Sequence, residues 1–151
     1  MRLADWLKTW HEPRPLPEER VRILVLSMPL EDRFLLERLA RQNDWGLRFT
    51  NSPRDAFDLA SQSHFELILC DCSEPGYPWR EVIDRLAACS AQSCILLVSP
   101  VTGDYLWREV LQHGGYDILL RPLCEQPTLQ AVQAVLRFIS PASGVSEGCP
   151  G

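Results

Sequence analysis

The sequence predicts an α/β fold, a five-stranded parallel sheet in the flavodoxin-like order 2-1-3-4-5 with helices on both faces. Short, nearly continuous apolar runs alternate with amphipathic stretches, and unbroken apolar strands are what a sheet covered on both sides requires. The alternation repeats five times within roughly 120 residues, which suits strands joined by right-handed helical crossovers. The chain has 151 residues, 46% apolar and 23% charged, which fits one ordinary globular domain.

The first 20 residues stand apart. Leu3, Trp6, Leu7 and Trp10 fall on one stripe of a short helix. Pro13, Pro15 and Pro17 then favour an extended linker. A helix of about ten residues is marginal alone, so the stripe packs on its own domain or serves as a docking or dimerisation helix.

Val21–Ser27 is the first apolar strand. Glu31–Gln42 carries Phe34, Leu35, Leu36, Leu39 and Ala40 on a helical face. Gly46–Asn51 is a weaker strand with Leu47 and Phe49 alternating. Ser52 then caps a helix whose first position is Pro53. Phe65–Cys70 is the third strand, followed by a helix over Arg80–Ala88 with Val82, Ile83 and Leu86 on one side. Cys94–Val98 is the fourth strand, and Asp104–His113 the next helix, stopped by Gly114-Gly115. Ile118–Leu120 is the short fifth strand, and Thr128–Ile139 the last helix. The domain therefore spans residues 21–140, and residues 141–151 read as a frayed tail. The twelve residues after Ile139 are too few for a helix-turn-helix output domain.

Charge and cysteine usage exclude several classes. The net charge is −5, with 15 Lys and Arg against 20 Asp and Glu, the wrong sign for a phosphate-tracking surface, so no nucleic acid is expected. No apolar run is long enough to span a membrane. Lys8, His11 and Glu12 interrupt any signal-peptide core. The six cysteines show no paired CxxC spacing, and Cys70 and Cys94 lie inside apolar runs as small hydrophobes. A reduced, cytoplasmic protein follows. Cys70-x-Cys72 is too tight for a zinc loop, and the three histidines are scattered.

Sites in open parallel sheets form beyond the carboxyl ends of the strands. There the sequence places Ser27, Asp71, Ser99 and Arg121-Pro122: two hydroxyls, a carboxylate and a cation. The first turn, Ser27-Met28-Pro29-Leu30, has no glycine for a pyrophosphate, and no Walker sequence occurs. The same turn offers one hydroxyl to a flavin phosphate and lacks the Pro29 amide, which leaves a small enzyme or flavin carrier as the least favoured class.

Residues 21 to 140 resemble the receiver domain of bacterial two-component response regulators. The stretch FELILCDCSEPG, from Phe65 to Gly76, is similar to the family's apolar strand, phospho-accepting Asp and Pro-Gly turn. Gly114 to Pro122 resembles the segment that ends in the family's Lys-Pro. The resemblance implies Asp71 as phosphoacceptor, with Pro75 and Gly76 as the turn. It also implies Ser99 as the switch hydroxyl, Arg121 in place of the Lys, and a cis Arg121-Pro122 bond.

The departures shape the expected function. Ser27 and Met28 stand where the family has two acidic residues that hold Mg²⁺. A thioether is the wrong ligand for that hard cation, so at most a weak metal site via Asp71 remains and no cofactor is expected. Glu31 and Asp32 fall on the first turn of a helix, where the dipole accounts for them. Arg121 keeps the positive charge but is a fork suited to bidentate pairing with a carboxylate. The family's aromatic switch position is Ile118, and the residue after Ser99 is Pro100, which has no N–H. The expectation is a stand-alone, atypical receiver in a phosphorelay. It acts through protein contacts, with weak or absent Mg²⁺-dependent phosphorylation at Asp71 and no catalytic residue. The alternative is an orthodox regulator phosphorylated there by a histidine kinase. Expected partners are a histidine kinase or another signalling protein, with a homodimer possible. Trp107 is either an interface anchor or core.

Overall fold

The computed structural model describes residues 21–71 and 78–139. The N-terminal stripe, the Pro75–Gly76 turn and the tail lie outside them. The strands are β1 (Val21–Leu26), β2 (Trp45–Thr50), β3 (Leu67–Asp71), β4 (Cys94–Ser99) and β5 (Asp117–Leu120). The helices are α1 (Leu30–Asn43), α2 (Pro53–Gln62), α3 (Trp79–Cys89), α4 (Asp104–Gln112) and α5 (Glu125–Ile139). All four strand pairings are parallel, and the order is β2-β1-β3-β4-β5. The expected topology is the observed one.

The alternation of side chains along each strand splits the core into two layers. Ile23, Val25, Leu67, Leu69, Leu96 and Val98 pack beneath α1 and α5 with Leu36, Leu39, Val132 and Val135. Leu24, Leu26, Ile68, Cys70, Ile95 and Leu97 face the other way, toward Ala56, Val82, Ile83, Leu86 and Val110 of α2, α3 and α4. The central strands therefore read as nearly continuous apolar runs, because both faces are covered along most of their length.

Element boundaries move for local reasons. The first strand ends one residue early, because Ser27 turns into the left-handed region at φ 58°. Helix α1 runs to Asn43, and Asp44 closes it in the left-handed conformation while donating its N–H to the Ala40 carbonyl. Strand β2 therefore starts at Trp45, one residue before the expected Gly46, and Trp45 is buried. Phe34 was expected on the core face of α1. It is 61% exposed, since it lies two residues from Leu36 and hence on the opposite side of the helix. Ser52 caps α2 as expected, accepting from the Asp55 N–H at 3.1 Å, with Pro53 at the first position. Helix α5 begins at Glu125, three residues before the expected start, with Pro127 tolerated in its first turn.

Candidate functional site

Asp71 is the last residue of β3 and is only 6% exposed. Strand alternation puts it on the same side as Leu69, the α1 and α5 side of the sheet. Arg121 follows β5, and its backbone N–H donates to the Ser99 carbonyl at 2.9 Å, extending the β4–β5 ladder by one step. Its Nη1 donates to both Asp71 oxygens, at 2.8 Å to Oδ1 and 3.1 Å to Oδ2. The expected two-nitrogen fork on one carboxylate is therefore not what forms. One nitrogen spans the Asp71 carboxylate, and the Nε edge faces Asp32, with 3.9 Å between Nε and Oδ2.

Asp32 is the residue that sequence reasoning misplaced. It was assigned to a helix dipole, but it is 5% exposed and its Oδ1 accepts the Leu123 N–H at 3.2 Å. Glu31 beside it is exposed, as a dipole residue would be. The signal was present in the spacing. Asp32 lies four and seven residues before Leu36 and Leu39, on the buried stripe of α1. A carboxylate on a core stripe needs a partner, and here it has a backbone amide and a guanidinium. Arg121 thus lies between two buried carboxylates and ties α1, β3 and the β5–α5 junction together. The Arg121-Pro122 bond at that junction is cis.

The other expected site residues lie nearby without joining this pair. Ser99 ends β4 and is 1% exposed. Its hydroxyl donates to the Val101 carbonyl at 2.8 Å and accepts the Val101 N–H at 3.1 Å, a closed loop turn on its own backbone. Ser27 donates its N–H to the Thr50 carbonyl at 2.9 Å, and its Oγ is buried without a hydrogen-bond partner among the described residues. Met28 is buried in the core layer under α1 and α5, so its thioether packs against side chains. Ile118 is half-buried against the other layer.

Mg²⁺ asks for several oxygen ligands in near-octahedral array. Both Asp71 oxygens already accept from Arg121, Met28 offers sulfur to the core, and Ser27 offers one neutral hydroxyl. Among the described residues no three His, Cys, Asp or Glu side chains group so as to hold a metal. The donors among the described residues do not fit the ion.

A second polar cluster fixes α4 to α3. Arg80 Nε donates to Glu109 Oε1, and the Arg80 guanidinium stacks 4.5 Å from the Trp79 ring centroid. His113 Nδ1 and Asp84 Oδ1 are 2.8 Å apart, and the His113 ring meets Trp79 edge-on. The Arg80 guanidinium and the Tyr105 hydroxyl hold the Glu109 carboxyl below its ordinary value. Beyond this cluster, Val101, Tyr105, Trp107, Leu111 and Leu120 leave apolar surface exposed on α4 and its flanking segments. Trp107, at 44% exposure, is not core.

The architecture is that of response-regulator receiver domains, and solved structures carry the comparison. Chemotaxis protein CheY4 of Vibrio cholerae superposes with a TM-score of 0.69 at 17% identity, over 77% of this chain and 98% of that one. A two-component response regulator from Clostridium difficile gives 0.72 at 16%, over 80% and 99%. A CheY-like receiver domain protein from Methanospirillum hungatei gives 0.73 at 12%, over 82% and 98%. At these identities the likeness is one of fold. No family model and no curated protein matches the chain.

Proposed function

We propose that this chain is an atypical receiver: a signalling module that works through protein contacts, with weak or absent phosphorylation at Asp71. The observation that carries this reading is the single Arg121 nitrogen bonded to both oxygens of the buried Asp71 carboxylate. Phosphoryl transfer to a carboxylate needs a free oxygen and a cation to neutralise the incoming charge. Arg121 supplies the positive charge permanently and sits against both oxygens. A metal ion placed beside Asp71 would meet that fixed positive charge. Asp32 strengthens the arrangement by holding the opposite edge of the guanidinium.

The module assigns no catalytic residue and needs no cofactor. Its partners are a histidine kinase or another signalling protein, met in the cytoplasm. The contact surface the resemblance implies is α4, β5 and α5, with the exposed Trp107 as candidate anchor. Among the described residues no helix is long and apolar enough to cross a membrane. The orthodox reading, with Asp71 phosphorylated by a kinase, is favoured by one observation: Asp71, Ser99 and Arg121 do end neighbouring strands at one edge.

Isothermal titration with Mg²⁺ separates the two. The wild-type chain is expected to give no saturable heat at millimolar ion, and Asp71→Asn the same trace. A saturable site in wild type that Asp71→Asn abolishes returns the protein to the orthodox class.

A further inference from the structure

Helix α4 has fewer buried side chains than the other four helices. Of its nine residues only Val110 is buried, whereas α1, α2, α3 and α5 each bury three or four. A helix that short is marginal on its own in water. Its N-cap is Gly103, which has no side chain to bond the first-turn amides. A glycine follows it too. Gly114 sits at φ 101°, where an added Cβ would lie 2.8 Å from the Ala87 Cβ of α3.

What else fixes α4 is a polar ladder on α3. Arg80 and Asp84 stand four residues apart on α3, and Glu109 and His113 four apart on α4, so each couple shares one helix face. The rungs are in register. Arg80 Nε donates to Glu109 Oε1, and His113 Nδ1 and Asp84 Oδ1 are 2.8 Å apart. Tyr105, one turn before Glu109, bonds the same carboxylate. The Trp79 ring touches both rungs, with the Arg80 guanidinium 4.5 Å from its centroid and the His113 ring edge-on at 6.0 Å. A slip of one turn would set Asp84 against Glu109, two carboxylates, so the ladder favours a single register.

We propose that this ladder is a latch: polar rungs on α3, more than a buried apolar face, set how often α4 opens about its flanking glycines. Trp107 lies two residues from both Tyr105 and Glu109, on the other side of α4. The latch therefore sets how firmly Trp107 and Leu111 are presented to a partner. Segments with few buried apolar contacts open locally at low free energy, and exposed ion pairs are individually weak, so small changes on α3 are enough to alter the opening.

Hydrogen–deuterium exchange on the full chain tests this. In wild type the amides of residues 107–112 are expected to exchange roughly tenfold faster than those of α1. Glu109→Gln with Asp84→Asn should speed them by roughly 3- to 10-fold more. The amides of α1 and α2, whose local openings leave the ladder intact, should keep their rates. Arg80→Glu should also speed α4, and Arg80→Glu with Glu109→Arg should restore the wild-type rate. An α4 as protected as α1, an equal acceleration of all helices, or a reversed pair no slower than Arg80→Glu alone overturns the proposal. Exchange is read without partner, phosphodonor or Mg²⁺, so its outcome is independent of how Asp71 behaves, and only the use of the Trp107 face rests on the receiver reading.

Discussion

Ser27 is held at φ 58°, a region that costs a non-glycine residue about 1 kcal/mol, and its buried hydroxyl has no described partner to compensate. Ser27→Gly removes the strain and an unsatisfied polar atom together. It is expected to raise Tm by roughly 2–4 °C, read by calorimetry. A lower Tm would mean the hydroxyl has a partner after all. Arg121 is the opposite case. Arg121→Ala leaves Asp71 and Asp32 buried without their shared guanidinium and is expected to cost about 3 kcal/mol in denaturant melts. Arg121→Lys, which keeps a charge but cannot span both carboxylates, should cost less. Cys94 belongs at this scale too. Burial pushes its thiol up from the ordinary range, and a neutral, covered sulfur does not attack. Cys70 and Cys94 should resist maleimide until denaturant is added, and rapid native labelling would contradict the β3 and β4 assignments.

The α3–α4 clasp sets a pH dependence at the level of elements. Glu109 has a depressed value in the folded protein, so the Arg80–Glu109 pair stabilises at pH above the ordinary carboxylate range. That contribution is lost as pH falls through Glu109's lowered value. Glu109→Gln is therefore expected to cost stability at pH 7 and little at the acid end, so the two melting curves converge as pH falls below the ordinary carboxylate range and through Glu109's lowered value. Parallel curves would show that the pair contributes nothing. The strands and helices themselves were legible in the sequence because two-sided burial makes β1, β3 and β4 continuous apolar runs, which no loop resembles. The edges were harder. Asp44 as a left-handed stop and Pro127 inside a first helical turn carry weak local signals, and β5 has only four residues. Phe34 was misplaced because α1 offers apolar residues on more than one side, so periodicity alone does not select the buried stripe.

For the whole molecule, the sequence placed Asp71, Ser99 and Arg121 at one sheet edge, because strand ends follow from strand assignments. The spacing puts Asp32 on the buried stripe of α1 but does not name its partners, which depend on how α1 lies against the β5–α5 junction, a long-range contact. Nor did it show that Met28 faces the core. That orientation decides how metal binding is to be restored: Met28→Asp would drive a carboxylate into packed side chains, whereas Ser27→Asp adds one at a left-handed position that aspartate tolerates. The central claim is that the Arg121 guanidinium stands where a metal would act and keeps Asp71 from accepting phosphate. Intact mass spectrometry after incubation with a small phosphodonor and Mg²⁺ tests it most directly, on wild type and on Ser27→Asp with Arg121→Lys. Wild type is expected to stay unmodified while the double variant gains a phosphoryl adduct that Asp71→Asn removes. Robust, Mg²⁺-dependent phosphorylation of wild-type Asp71 would contradict it.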